Sequence, residues 1–382
     1  MDRNNLIIYI MVLGTFGILS TEMGVVGILP QIAEYFNVSI TQAGLFVSMF
    51  ALTIAIFAIF MPVIFSKYER KKTFILVLTV FTVFTAIGAF VKDFNIALIC
   101  RIIPARFHPK YCSLSMTVAA EIVDPDKAQD AVSKVIMGVS AGMIIGVPIT
   151  TFLASHLGYQ YAMLLFTAIN FIVLILTILF FPKIPGKEDS YLSQISAAKT
   201  GVFLISVLGV IFLNAGMYTG YSYISEFLNA LTHIVGTNLS IVLLLYGVAS
   251  IIGNWLGAKL LDRDSRKIIL ASPIVVSIIL FGMFTVSSQT IPTVIFMVFW
   301  GLFAGIINDI SQYLMVSAAP QAPEFANGIF LSMGNVGVTI GTTIAGFVVA
   351  GIGVRYVMLF AILVLVFDLI LLFTRTQKYN ID

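Results

Sequence analysis

Ionisable side chains set inside long apolar runs are the chemistry this chain offers. Glu22 stands in the run 6–29, Arg101 and His108 in 95–121, and Asp309 in 292–317. An ionisable group at the centre of a bilayer costs at least about 2.5–3.5 kcal/mol, so each needs a partner or a task. Glu22 lies about sixteen residues into its run, some 24 Å by helical rise, and Arg101 about 9 Å into its own from the opposite side. With a hydrocarbon core near 30 Å, the two share a similar depth. A carboxylate beside a cation keeps its charge, and one that loses the cation in an apolar site takes up a proton. Glu22 and Arg101 are therefore expected to pair in one state and to separate as Glu22 binds a proton. A permanent structural salt bridge is the competing reading. Asp309 is the third candidate for proton coupling, with a gate ion pair as its alternative.

Other polar groups suggest a binding pocket. At 100° per residue Arg101, His108 and Cys112 share one helix face, with Arg106 and Lys110 nearly opposite. His108 is then a candidate substrate contact, and a hydrogen-bonded packing residue is the equal alternative. Lys110 is expected to snorkel to the near interface. If Arg106 reached the cavity, the lumen would be positive and favour an anionic or zwitterionic solute. Asn214, Tyr218 and Tyr221 form a polar-aromatic stripe, and Asn308 and Gln312 stand at helical spacing with Gly305 and Asp309. Small-molecule pockets combine aromatic walls with a few polar groups. The same tyrosines would serve packing equally well.

A third set bears on movement. Gly138, Gly142 and Gly146 recur every fourth residue ahead of Pro148, a groove that lets two backbones approach closely. It is expected to seal against a helix of the other half, with ordinary packing as the alternative. Arg70 and Lys71 in the basic stretch 67–72, and Asp262 with Arg263, Arg266 and Lys267, could latch one face through ion pairs and helix ends. The basic residues could equally serve topology alone.

Enzyme signals fail on context. Gly138-Val139-Ser140-Ala141-Gly142 fits the G-x-S-x-G pattern, but that nucleophile turn needs a strand before it and a helix after it. The chain has no G-x4-G-K-[ST] phosphate loop. His108, His156 and His233 show no metal-ligand spacing. The expectation is no catalytic residue, no metal and no cofactor, with a proton gradient as the driving force.

The elements that must position these groups follow from composition. Of 382 residues, 59% are hydrophobic and 10% charged. An ordinary soluble domain carries about 25% charged residues, so a soluble enzyme, a nucleic-acid binder and a disordered scaffold are all excluded. Apolar runs of spanning length fall near 6–29, 42–65, 73–91, 95–121, 131–153, 159–181, 200–228, 238–258, 268–288, 292–317, 326–350 and 354–374. The first is too long for a signal-peptide core and lacks a cleavage site, so it reads as a span. With the N-terminus cytoplasmic, sixteen Lys and Arg lie inside and only Lys92 and Arg355 outside. That asymmetry places both termini and the central loop on the cytoplasmic side of a cell membrane. Cys100 and Cys112, twelve residues apart on one predicted helix, lie about 18 Å from each other and cannot bridge.

The polar stretch 182–199 divides the runs into two sets of six, 1–181 and 200–382, and the sets repeat. Gly142, Gly146, Gly158, Tyr161, Met163 and Leu164 recur 195 residues later as Gly337, Gly341, Gly353, Tyr356, Met358 and Leu359. The basic loop 67–72 recurs near 263–267. Parallel repeats of this kind place a binding site between the halves near the midplane.

On these residues the chain resembles the major facilitator superfamily over essentially its whole length. The family's loop after span two reads roughly G-x-L-a-D-R-x-G-R-K. Residues 62–72 keep its basic end without the acid or glycines, and 258–267 keep the acid as Asp262. Span five, with Gly138, Gly142, Gly146 and Pro148, resembles the drug:proton antiporter branch. The stretch 21–33 is similar to the first span of bacterial sugar, arabinose and purine-nucleoside efflux permeases, and 101–109 to span four of the sugar-efflux group. The resemblance implies an all-α membrane fold of twelve helices in two pseudo-symmetric halves, with Asp368 on an outer support helix. It implies export of a small organic solute by proton antiport, a monomer in the lipid bilayer, and spans 1, 4, 7 and 10 around a central site. Uptake by symport or facilitation, and a non-transporting sensor, are the alternatives.

Overall fold

The computed structural model of the chain describes residues 3–65, 67–124, 127–186, 200–321 and 323–378. All secondary structure among them is helical. The expected central loop 182–199 lies mostly outside the described residues.

The first crossing is broken. α1 (Arg3–Met23) passes through a 3-10 turn, Gly24–Ile28, into α2 (Leu29–Phe36). Pro30 carries no N–H, so the helical ladder loses the donor that belongs to the Val26 carbonyl four residues earlier. α3 (Ile40–Ala43), capped by the Ser39 side chain, leads into α4 (Leu45–Ile64), and α5 (Arg70–Phe90) follows. The fourth crossing is split into α6 (Phe94–Ala105) and α7 (His108–Glu121), with Pro104 and Pro109 on either side of the break. α8 (Ala128–Leu157) and α9 (Tyr159–Phe180) complete the first set. The second set comprises α10 (Gly201–Tyr221), α11 (Ile224–Thr232), α12 (Gly236–Thr285), α13 (Thr290–Ala318), α14 (Pro323–Gly351) and α15 (Val357–Lys378).

Ten helices among the described residues are long and apolar enough to cross a membrane. Two further crossings escape that measure: the split pair α6 and α7, and the second half of the 50-residue α12. The course of the chain is thus consistent with twelve. Where the sequence suggests a loop between 258 and 268, α12 runs on through a single kinked residue, Asp264 (φ −160°, ψ 82°). Asp264 Oδ1 accepts the Lys267 backbone N–H at 3.1 Å, as an N-cap does, and Oδ2 meets Lys267 Nζ at 2.7 Å. Asp262, Arg263 and Arg266 beside it are exposed. The acid that shapes this turn is Asp264.

The glycine groove of α8 faces a different partner from the one expected. A side chain at Gly142 would lie 2.6 Å from the Phe16 carbonyl, one at Gly138 2.5 Å from that of Val12, and one at Gly146 would strike Ser20. All three contacts are on α1, in the same set of six. The groove packs the first set internally, and its repeat does likewise: Gly337 and Gly341 of α14 face Ile211 and Ala215 of α10. Contact between the sets is carried instead by α4 against α14 and α8 against α12. There Ile144 packs on Gly247, while Ser332 donates to the Ala55 carbonyl and Thr339 to that of Ser48 at 3.4 Å.

Gly142→Leu is therefore expected to damage folding and leave no specific leak. Forcing a large side chain into a packed contact costs about 1–3 kcal/mol or more. The check is thermal unfolding of the purified protein in detergent, with a lower midpoint or lost yield expected. A variant as stable as the parent would contradict the α1–α8 packing.

Candidate functional site

The broken first crossing frees backbone carbonyls inside the molecule, and these organise the polar groups. Arg101, 6% exposed, reaches from α6 to the end of α1. Its Nη1 donates to the Thr21 carbonyl, its Nη2 to the Glu22 carbonyl at 2.8 Å, and its Nε to the Phe46 carbonyl on α4 at 3.4 Å. The Phe50 ring lies under the guanidinium at 4.1 Å. A helix ending inside a protein leaves carbonyls without donors, and a guanidinium with five N–H groups in a planar fork can supply several at once. The expected pairing of Arg101 with the Glu22 side chain is thus replaced by a grip on the Glu22 backbone. A cavity of about 20 Å³ beside the guanidinium is lined by Thr21, Thr85, Cys100 and Tyr159 among others. That is room for about one water molecule.

The Glu22 carboxylate meets His108 instead. Oε2 lies 2.9 Å from His108 Nε2, with the two side chains 8% and 2% exposed. The approach is too bent to count as a hydrogen bond, and both ring nitrogens are otherwise without such a partner among the described residues. His108 opens α7 directly after the break, and the Phe50 ring stands edge-on to it at 6.2 Å. The break also alters the helical phase. Lys110 is buried and Arg106 exposed, stacked on Phe57, so the expected snorkelling of Lys110 is not what the structure shows.

Across from Glu22 stands the second set. Tyr218 of α10 donates to the Met23 sulfur at 3.6 Å. Its ring is edge-on to Tyr221, which stacks on Tyr246 at 4.7 Å, with Trp300 edge-on to both. Asn214 bonds to Ser311 of α13 at 3.2 Å. Asn308 and Gln312 are exposed, and Gln312 donates to Asn327 of α14 at 3.1 Å. The structure does not join Asp309 to this group. Its carboxylate lies against α12, where a side chain at Gly257 would come within 2.5 Å of Oδ2. Asp368 of α15 is fully buried, and α15 packs against α10, α12 and α14.

The basic stretch 67–72 latches within its own set. Arg70, 5% exposed, forms a two-pronged pair with Glu121 at the end of α7, its second prong being 3.2 Å. The Arg70 backbone N–H donates to the Ile184 carbonyl at 2.9 Å, and Lys71 Nζ to that of Ile178 at 2.9 Å. Sequence reasoning missed Glu121; its only signal was an acid closing the run 95–121.

Two six-helix sets that meet through corresponding helices, and whose glycine contacts repeat at a fixed offset, define one architecture. The family model for the Major Facilitator Superfamily matches residues 11–323 and 207–381. The chain belongs to the Major Facilitator Superfamily. Among its relatives is the inner membrane transport protein YdhP of Escherichia coli K12, 28% identical over 368 residues, which are 96% of this chain and 95% of that one. Another is the uncharacterized MFS-type transporter YtbD of Bacillus subtilis 168, 27% identical over 348 residues, 88% and 87% of the two chains. Among solved structures, the nucleoside transporter NupG superposes with a TM-score of 0.77 at 17% identity, over 100% of both chains. A bacterial homolog of the human lysosomal transporter Spinster, inward-facing and unoccupied, gives 0.77 at 14% identity over 99% of this chain and 98% of that one. These two likenesses concern fold alone. As a Major Facilitator Superfamily member the protein is a multi-pass membrane transporter of the cell membrane.

Arg101→Lys is expected to destabilise the protein. A single ammonium cannot hold the three carbonyls on two helices, and hydrogen bonds to a charged group are worth about 1.5–3 kcal/mol each. Thermal unfolding should show a drop larger than that for Arg106→Lys, whose parent side chain is exposed. Equal midpoints for the two variants would count against the grip.

Proposed function

We propose that this transporter exports a small organic solute in exchange for protons, by alternating access between the sets 1–181 and 200–382. The observation that carries the reading is a buried carboxyl–imidazole pair, His108 with Glu22, the latter next in the chain to Met23, whose sulfur accepts the Tyr218 hydroxyl of the other set. In this reading Glu22 exchanges the proton and His108 holds the carboxylate when the proton is absent. Arg101 is a positioning residue that fixes Glu22 through its backbone. Tyr218, Tyr221, Asn214, Asn308 and Gln312 offer ring faces and amides to the solute. Asp309 serves the contact between α12 and α13.

Protonation of Glu22 and binding of solute compete, so that each occupied state favours one arrangement of the two sets. A ligand moves such an equilibrium only through its different affinity for the two states. The pattern of basic residues supports cytoplasmic termini. The direction of export rests on the resemblance of 21–33 and 101–109 to efflux permeases. The sugar, nucleoside or drug class of the cargo rests on the same ground.

The test uses energised inside-out vesicles with a pH-sensitive dye and a panel of sugars, nucleosides and cationic or neutral drugs. Solute-triggered proton release is expected with one class and is expected to vanish in Glu22→Gln at matched expression. Full proton release in Glu22→Gln would remove the proton from that residue. Solute movement with no proton movement in the parent protein would favour a facilitator.

A further inference from the structure

Tyr223 stands at the break between α10 and α11, on the face opposite the termini, and its ring is 1% exposed. The hydroxyl crosses from the second set into the first and points at the Thr41 carbonyl, 3.4 Å away. It ends in a notch bounded by two glycines. A side chain at Gly44, between α3 and α4, would overlap the Tyr223 hydroxyl, and one at Gly346 of α14 would lie 2.9 Å from it. Neither glycine is required by its backbone. Gly44 has φ −57° and ψ −20°, ordinary right-handed values, and Gly346 lies inside a regular helix. Glycine at such positions costs roughly 0.5–1 kcal/mol relative to alanine. The absent Cβ atoms are explained by the room that Tyr223 occupies.

Neighbouring contacts close the same region. Thr41 Oγ1 donates to the Gly346 carbonyl at 3.2 Å, and Ser225 Oγ to the Val26 carbonyl at 2.9 Å. We propose that Tyr223 is the bolt that holds the two sets shut on the face opposite the termini, with Gly44 and Gly346 as its keeper. This rests on the alternating-access reading above. The bolt acts by shape: a rigid ring in a fitted slot must withdraw completely before the sets can part there. The long hydrogen bond to Thr41 adds direction to that fit.

The experiment places spin labels at Glu34→Cys and Asn238→Cys, both exposed near this face, in a background without the buried Cys100 and Cys112. Inter-label distances are recorded by pulsed dipolar spectroscopy across a pH series. Tyr223→Ala is expected to raise the ratio of long to short distances by roughly tenfold. Gly346→Ala, which narrows the slot and leaves the ring in place, should shift it in the same direction. Tyr223→Phe should lie close to the parent. A parent protein that exchanges between two distances, with Tyr223→Ala unchanged from it, overturns the bolt and leaves alternating access standing. One short distance in parent and variant at every pH overturns both. A shift in Tyr223→Ala, with a parent protein that moves no solute, supports the bolt and counts against the transport reading alone. Monodisperse elution of each variant shows that the compared proteins are folded.

Discussion

A backbone carbonyl in a dry interior must find a donor, and the break in the first crossing creates several that the helix cannot serve. The structure is arranged around that requirement. Arg101 reaches from another helix to the carbonyls of Thr21 and Glu22. Pro30 withholds the amide due to Val26, and Ser225 of the other set supplies a hydroxyl in its place. The break thus fixes where Arg101 must point, and it leaves the Glu22 carboxylate free for His108. One discontinuity in one helix sets the charges of the site and part of the seam between the sets.

The two sets are built alike where packing is concerned and differently where charge is concerned. The same glycine register joins α8 to α1 and α14 to α10. Yet position 22 is glutamate and its repeat at 217 is methionine, and the arginine at 101 is matched in the repeat by Phe296. Duplicated packing provides two rigid bodies. Divergence at these two positions leaves Glu22 and Arg101 in one of them, and the aromatic cluster of Tyr218, Tyr221, Tyr246 and Trp300 lies in the other.

Hydropathy and the 195-residue repeat made the helices and their duplication legible, because length and apolarity are local properties. The partners were not legible. Arg101 was matched to the Glu22 side chain because a sequence displays side chains, whereas the guanidinium binds main-chain oxygen. The groove of Gly138, Gly142 and Gly146 was correctly a place of close approach, but periodicity on one helix does not say which neighbour fills it. Lys110 and Arg106, expected on one face, stand in different environments because two prolines break the helix whose continuity the phase argument assumed. Glu121 gave only the weak signal of an acid closing its run and Tyr223 gave none: each matters through contacts with residues far away in the chain.

The hydroxyl that Ser225 lends to Val26 has a consequence for the solvent. When the two sets part at that point, the Ser225 hydroxyl loses its acceptor, and the Val26 carbonyl keeps only the amide of its 3-10 turn, the proline four residues on having none to give. Water must therefore enter as the seam opens, so each opening is also a hydration step. Solutes too large to follow that water would press the face shut by osmotic work alone, without touching the protein.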